Sequence, residues 1–287
     1  MPKTDASPYN SRNVLRAFFL GDALGEAFEF SSPSKSDIAR RWNSDVENLR
    51  YTDDSILVAS TLEALPHWDK KTNSDAAMER AVLDFMASWW DSKDLRGIGE
   101  TTQAALRQIA DHRHRKGHLV PFQIDESQYP KEISAGNGIL SRVLPIGVEP
   151  ATDVHWKKGS IERFLMLTHL HEDGHESAKQ LLKWMKTGGR HPLPKEPWAD
   201  GTGFYAPETL WIAGQCAKAK SPFRAFEITQ VEDGDNDSTA ALGMALWVFN
   251  HGWDQELDRL EKRFVPVDRK TIGKWLARWD VFVEKQS

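Results

Sequence analysis

Apolar residues recur at three- and four-residue spacing along most of this chain, the pattern of helices that bury one face. Val14, Ala17, Phe18, Ala23, Phe28 and Phe30 form such a stripe over residues 11–30. Over residues 52–65 an acidic first turn, favoured by the helix dipole, leads into Ile56, Leu57, Ala59, Leu62 and Leu65 on one face. The same spacing predicts a helix over 76–90, with Val82, Phe85, Met86 and Trp89 inward. Further helices are predicted over 101–109, 161–168, 177–185, 207–218, 222–231, 238–251 and 271–284. No stretch alternates with the period of two that marks a strand, so the fold class is all-α. Three stretches, 31–48, 116–137 and 188–205, break the pattern, and irregular segments of that length inside a compact domain usually carry function. No linker or repeat divides the 287 residues, which are expected to form a single domain.

Composition removes several function classes. A net charge of −5 gives no basic field to attract nucleic acid. The densest basic run, His112-Arg113-His114-Arg115-Lys116, is short and reads as a solvated loop or helix end. The lone cysteine, Cys216, excludes an intramolecular disulfide and a multi-cysteine zinc site. It follows the apolar run Leu210-Trp211-Ile212-Ala213 and reads as a buried small hydrophobe. No apolar run reaches the roughly 18 residues that span a bilayer. The polar N-terminus lacks a signal peptide's apolar segment, because Ala17-Phe18-Phe19-Leu20 is cut by Gly21-Asp22. A cytoplasmic monomer without membrane or nucleic-acid partners is expected. The 12 tryptophans read as core and rim packing, with some available to stack on a flat ligand ring.

Candidate chemistry lies in three acidic clusters at predicted helix ends. In Gly21-Asp22-Ala23-Leu24-Gly25-Glu26-Ala27-Phe28-Glu29, three acids fall at i, i+4 and i+7 on one helical face. Such stacking is destabilising unless the face meets water or a cation, and taken alone it reads as a solvated face. Gly21 and Gly25 leave that surface bare enough for close approach. Tyr51-Thr52-Asp53-Asp54-Ser55 opens a strongly apolar helix, yet capping needs one oxygen and this segment brings two carboxylates and two hydroxyls. Glu232-Asp233-Gly234-Asp235-Asn236-Asp237-Ser238-Thr239 precedes another apolar helix. It is not an EF-hand, which would need glycine at Ser238 and glutamate at Met244. Brought together, Glu29, Asp53, Asp54, Asp235 and Asp237 would place about five negative charges in one pocket, a density that calls for divalent cations. All-oxygen donors favour Mg²⁺ or Mn²⁺ over zinc.

These segments resemble, in order along most of the chain, the motifs of the ADP-ribosylglycohydrolase family, which includes dinitrogenase reductase-activating and ADP-ribosylarginine hydrolases. Gly21-Asp22-Ala23-Leu24-Gly25 with Glu29 is similar to the family's opening G-D-A-x-G-x-x-x-E, and Tyr51-Thr52-Asp53-Asp54-Ser55 to its T-D-D metal segment. Gly97-Ile98-Gly99 resembles a glycine loop that touches ADP-ribose. Gly136-Asn137-Gly138 with Arg142 and Pro145 resembles the G-N-G-x-x-x-R-x-x-P segment, Thr168-His169 a T-H pair, and Gly234-Asp235-Asn236-Asp237-Ser238 the closing G-D-T-D-[TS]. The chain departs from the pattern at Asp233, where a glycine is usual, and more mildly at Asn236 and Ser238. Trp247 and Phe249 stand where smaller residues are common, so the packing of that helix is expected to differ.

The resemblance implies an orthogonal helical bundle with two Mg²⁺ ions, or Mn²⁺, in a central cleft. Carried over, the metal ligands are Thr52, Asp53, Asp54, Asp235, Asp237 and Ser238, with Glu29 and Asp54 catalytic. Gly97, Gly99, Gly136, Asn137 and Gly138 would lie along the diphosphate and ribose, where bare amides approach an anion, and His169 would contact the ligand unless it is a satisfied core histidine. The implied reaction is hydrolysis of the bond between ADP-ribose and a modified protein or other ADP-ribose derivative. One metal or both would polarise the ribose hydroxyls, a metal-bound or Asp54-held water would attack, and Glu29 or a neighbouring carboxylate would handle the proton. Arginine linkage is favoured, through acids at Asp233 and Glu26 that would pair with a guanidinium. Two other readings compete. Thr168-His169-Leu170-His171-Glu172-Asp173-Gly174-His175 nearly matches a metallo-β-lactamase-type zinc segment through His169, His171 and His175. A non-catalytic ADP-ribose binder, or a protein that blocks a transferase, is the other.

Overall fold

A computed structural model describes residues 10–68, 75–116, 122–128, 135–148, 160–193 and 201–286. In chain order the helices are α1 (Ser11–Gly25), α2 (Lys35–Asn43), α3 (Asp53–Ala64), α4 (Asp75–Ser92), α5 (Glu100–Lys116), α6 (Gly138–Gly147) and α7 (Ser160–Leu165). They continue with α8 (Glu172–Lys186), α9 (Ala206–Cys216), α10 (Pro222–Thr229), α11 (Asn236–His251), α12 (Gln255–Glu261) and α13 (Pro266–Gln286). Among the described residues there is no strand, only isolated bridges that tie Leu49 to Phe264 and Gly136 to Tyr205. The all-α class read from the periodicity holds.

Two layers meet at the centre. Helix α1 lies directly on α11, and their backbones touch: a Cβ on Gly21 would stand 2.2 Å from the Ala240 carbonyl oxygen, and one on Gly25 2.1 Å from that of Asn236. The bare glycine face read from the sequence therefore receives a helix. Helix α9 flanks α11 on this side, while α3, α6 and α8 pack as the second layer. Arg41 of α2 closes the end of α1, donating to the carbonyls of Ala23 at 2.8 Å and Leu24 at 3.4 Å, groups a helix terminus otherwise leaves without partners. Trp247 is buried and donates to the Ala219 carbonyl at 3.0 Å, and Phe249 packs on Trp184 with centroids 5.1 Å apart. Cys216 is fully buried, as expected of a small hydrophobe.

The pattern missed α2, α6 and α12 for different reasons. Helix α2 falls inside the stretch 31–48 read as irregular and buries only Ile38 and Trp42, too few apolar positions to register a period. Its capping box, Ser34 with Asp37, was the available signal. All ten residues of α6 are buried, so no polar face gives it a period. Helix α12 is seven residues long. Parts of the other two irregular stretches, 117–121, 129–134 and 194–200, lie outside the described residues.

Helix α8 starts five residues before the periodic stretch, at Glu172, and this changes the reading of the histidines. His171 is its N-cap, accepting the Asp173 N–H at 3.2 Å, with Glu172 and Asp173 in the first turn. His175 Nε2 binds the His169 carbonyl at 2.7 Å, and His169 Nδ1 faces the Thr168 hydroxyl at 2.8 Å. Each ring has its own local partner, and no zinc site of the metallo-β-lactamase type forms. The basic run at 112–116 is the last turn of α5, where Arg113 pairs with Asp84 and the exposed His114 with Asp91.

Candidate metal centre and cleft

Four helices point their N-termini at one cleft of about 730 Å³: α3 with Asp53 and Asp54, α5 with Glu100 to Thr102, α6 with Gly138, and α11 with Asp237 and Ser238. Orphan N–H groups and dipole ends make such a place hospitable to anions. The acidic residues there partly answer that field, and more than answer it once they are counted. Glu29, Asp53, Asp54, Glu100, Asp235 and Asp237 all line the cleft.

At its floor, oxygens of Asp54, Asp235 and Asp237 lie within 4.8 Å of one another, and all three residues are buried. Asp54 accepts the Ser141 hydroxyl at 2.5 Å and the Ser238 hydroxyl. Asp235 caps α11 by accepting the Ser238 N–H at 3.3 Å, and its other oxygen takes the Asn137 amide at 2.9 Å. Asp237 accepts the same Ser238 N–H at 2.8 Å. Burial, then the charges of Asp235 and Asp22, pushes Asp54 up to about 7. Burial and carboxylate neighbours, Asp54 first for Asp53 and Asp235 first for Asp237, hold those two acids well above the usual range. Half-buried Glu29 is raised to about 7 by burial, then by Asp235, Glu26 and Asp22. None of the described lining residues is a lysine or arginine. Hard oxygen donors, mutual repulsion and no protein cation beside them are the conditions that a divalent ion relieves, so the donor set fits one.

Asp22 does not join this group. It is fully buried behind α3 and accepts the Thr52 N–H at 3.0 Å, the Thr52 hydroxyl at 2.6 Å, the Ser55 N–H at 3.3 Å and the Ser55 hydroxyl. Asp22 is thus the cap of α3 supplied from α1. The single acidic face read over Asp22, Glu26 and Glu29 breaks because α1 ends at Gly25 and the chain tightens into a 3-10 turn. That turn leaves Glu26 exposed outside the cleft and swings Glu29 to its edge. Thr52 is not among the described lining residues. Its hydroxyl proton is engaged by Asp22, which leaves the oxygen's lone pairs available to a cation.

The remaining sequence candidates converge. Gly97, Gly99, Gly136, Asn137, Gly138 and His169 all line the cleft. Gly97 sits at φ +72°, and a Cβ there would stand 2.7 Å from Asp53 Oδ1, so the loop passes the acid at a distance only glycine allows. Asn137 also donates to the Gly203 carbonyl at 2.8 Å, locking Asp235 to the 201–203 loop. His169 is both buried and a lining residue. Arg142, fully buried at the motif position, donates to the Thr168 hydroxyl at 2.6 Å. A guanidinium only donates, so the Thr168 oxygen accepts from Arg142, and the same hydroxyl pairs with His169 Nδ1 at 2.8 Å. Burial, then Arg142 and His175, lowers His169 to about 3, so the ring is neutral, and its Nε2 faces Gly138.

Phe30, read from the sequence as part of the first helix's buried stripe, lies exposed beyond the end of α1 and lines the cleft. Ile98, Glu100, Thr101, Thr102 and Phe204, which the sequence did not single out as site residues, line it too. Asp233 and Glu26, by contrast, do not line it. Asp233 is exposed at φ +48°, accepting the Ser32 hydroxyl at 2.8 Å, so the preference for arginine loses the two acids on which it stood. Asn236, a mild departure by sequence, is a staple: fully buried, it accepts the Val231 N–H at 2.7 Å and donates to the Phe28 carbonyl at 2.8 Å.

The family model for ADP-ribosylglycohydrolases matches residues 9–182, three fifths of the sequence. The chain belongs to the ADP-ribosylglycohydrolase family. The match ends before Asp235, so it is the packing of α11 on α1 that ties the closing aspartates to the family's site. A solved structure described as an ADP-ribosylglycohydrolase-related protein complex is similar over 96% of this chain and 99% of its own, with a TM-score of 0.58 and 16% identity. That likeness shows a shared fold. No curated protein matches the sequence. Membership brings hydrolase activity of the glycohydrolase type on ADP-ribosylated substrates, in a metal-dependent family. No described helix is long and apolar enough to cross a membrane.

Proposed function

We propose that the protein is a Mg²⁺-dependent hydrolase that frees ADP-ribose from a modified protein. The observation that carries the reading is the convergence of Asp54, Asp235 and Asp237, from helix starts about 180 residues apart, on one buried point of an acid-lined cleft. The metal set is Asp53, Asp54, Asp235, Asp237 and Ser238, with Thr52 offering the lone pairs that Asp22 leaves open. Two Mg²⁺ ions, or Mn²⁺, match this charge. When bound, they supply Lewis acidity toward the ribose hydroxyls.

Each protein group then has a task. The backbone at Gly97, Gly99, Gly136 and Gly138 admits the diphosphate close to the N-termini of α5 and α6. His169, a neutral ring, offers Nε2 to the ligand as a hydrogen-bond partner without adding charge. Asn137 fixes the orientation of Asp235. Asp54 orients the attacking water. Glu29, raised to about 7, is suited to give and take a proton at the scissile bond near neutral pH. A buried, ordered set of groups cuts the reorganisation the reaction needs.

The test is turnover. Purified protein incubated with ADP-ribosylated protein and Mg²⁺ is expected to release free ADP-ribose, and EDTA to stop release. Tight ADP-ribose binding without release would instead make it the non-catalytic binder. Arginine, serine and acetyl linkages compared side by side would fix the target, with arginine expected first.

A further inference from the structure

Beside Glu29, at the mouth of the cleft, two phenyl rings face solvent. Phe30 is 65% exposed and Phe204 38% exposed, and their rings lie nearly parallel, 16° apart in plane with centroids 5.6 Å apart. Both line the cleft. Hydrophobic burial does not explain the pair, and looseness does not either, because hydrogen bonds anchor the backbone beside both residues. Phe30 sits at φ +55°, a left-handed conformation, with its N–H donating to the Gly234 carbonyl at 2.9 Å. Asn236 secures the preceding turn through the Phe28 carbonyl. Phe204 follows a loop whose Gly201 and Gly203 N–H groups donate to the two oxygens of buried Glu208, at 2.7 and 2.8 Å.

The surroundings say what such a platform would take. An aromatic face attracts a cation, and a planar delocalised one stacks on it better than a compact ammonium. The described lining carries six acidic residues and no lysine or arginine, and its one histidine is neutral. Phe30 directly follows Glu29, the group assigned the proton at the scissile bond, so the rings stand on the leaving-group side. The diphosphate runs the other way, over the glycine backbones. Rings 5.6 Å apart leave no gap for a third plane between them, so the ligand stacks on an outer face.

Resting on the hydrolase reading, we infer that Phe30 and Phe204 are specificity-determining residues, a platform that selects a planar, nitrogen-linked leaving group. A guanidinium and a pyridinium-type ring share that chemistry, and a serine oxygen lacks it.

The test uses the full chain with Phe30→Gly, which removes the ring and suits the left-handed backbone, and Phe204→Ala as a second variant. Calorimetry in EDTA, where turnover stops, would compare free ADP-ribose with ADP-ribosyl-arginine. Kinetics with Mg²⁺ would compare ADP-ribosyl-arginine, an ADP-ribosyl-pyridinium and ADP-ribosyl-serine. Phe30→Gly is expected to melt no lower than wild type, to keep its affinity for ADP-ribose, and to lose about tenfold in affinity and kcat/KM for one or both planar substrates. The planar substrate that loses most identifies the source, and the serine substrate is expected to change less than twofold. Equal losses on all substrates and on ADP-ribose would place the adenine on these rings and overturn the inference, as would no change in either variant. A wild type that turns over nothing but keeps the split in binding would sink the hydrolase reading and leave the platform standing.

Discussion

Two sets of buried aspartates stand within one helix turn of each other and behave differently. Asp22 meets four neutral donors from Thr52 and Ser55, and those hydrogen bonds restrain the rise that full burial imposes, leaving it at about 6. Asp54, Asp235 and Asp237 divide four donors among three carboxylates and face one another. Repulsion adds to burial there, carrying Asp54 to about 7 and Asp237 well beyond the usual range. A carboxylate whose lone pairs are filled by the fold is part of the scaffold, whereas carboxylates left to repel each other are poised for a ligand that the chain itself does not provide. The two sets also cooperate. By accepting the Thr52 hydroxyl hydrogen bond, Asp22 leaves that oxygen's lone pairs open toward the proposed cation.

The sharpest way to break the contrast is substitution on each side. Asp235→Ala is expected to cost about a thousandfold or more in turnover, since a metal contributes several kcal/mol to the transition state. Its metal-free form should melt close to wild type, because the repulsion removed offsets the α11 cap and the Asn137 bond that are lost. Asp22→Ala should do the reverse first, destabilising by about 3 kcal/mol as two N–H groups and two hydroxyls lose a buried partner. Melting curves in EDTA beside turnover in Mg²⁺ separate the two; equal destabilisation would erase the distinction.

A smaller effect comes from pH. Asp54 and Glu29 titrate near 7 when folded and near 4 when unfolded. Groups with a raised folded pKa stabilise fully below the unfolded value and lose that contribution as pH climbs through the folded one. Metal-free protein should therefore weaken between about pH 4 and 7, with Glu29 contributing less because water screens it. Mg²⁺ removes the repulsion, so its stabilisation, read as a melting-point rise, should be larger at pH 8 than at pH 5.5. An equal rise at both would mean the ion binds elsewhere. Smallest of all, Asp233→Gly relieves a left-handed aspartate outside the cleft and should change stability by under about 1 kcal/mol while leaving turnover intact.

Much of this was legible in the chain. The two acidic helix starts, Asp53-Asp54 and Asp235 to Asp237, stood out because acids before an apolar run are costly without a purpose, and their order matched a known set. The all-α class followed from periodicity, although wholly buried α6 and sparsely apolar α2 gave no period to read. What stayed hidden depended on backbone direction. The end of α1 at Gly25 divides Asp22 from Glu29, and no spacing rule announces it, since a continued helix would have aligned them. The Phe30–Phe204 pair joins residues 174 positions apart on irregular loops, where no pattern marks partners. The acids offered as partners for an arginine were misplaced similarly: Asp233 is close to Asp235 in sequence, but its left-handed turn faces it outward.

The most direct test is anomalous scattering from a crystal grown with Mn²⁺. Strong peaks bounded by the carboxylates of Asp54, Asp235 and Asp237, and lost in Asp235→Ala, are expected. A well-ordered cleft with manganese bound only at surface acids would contradict the metal centre.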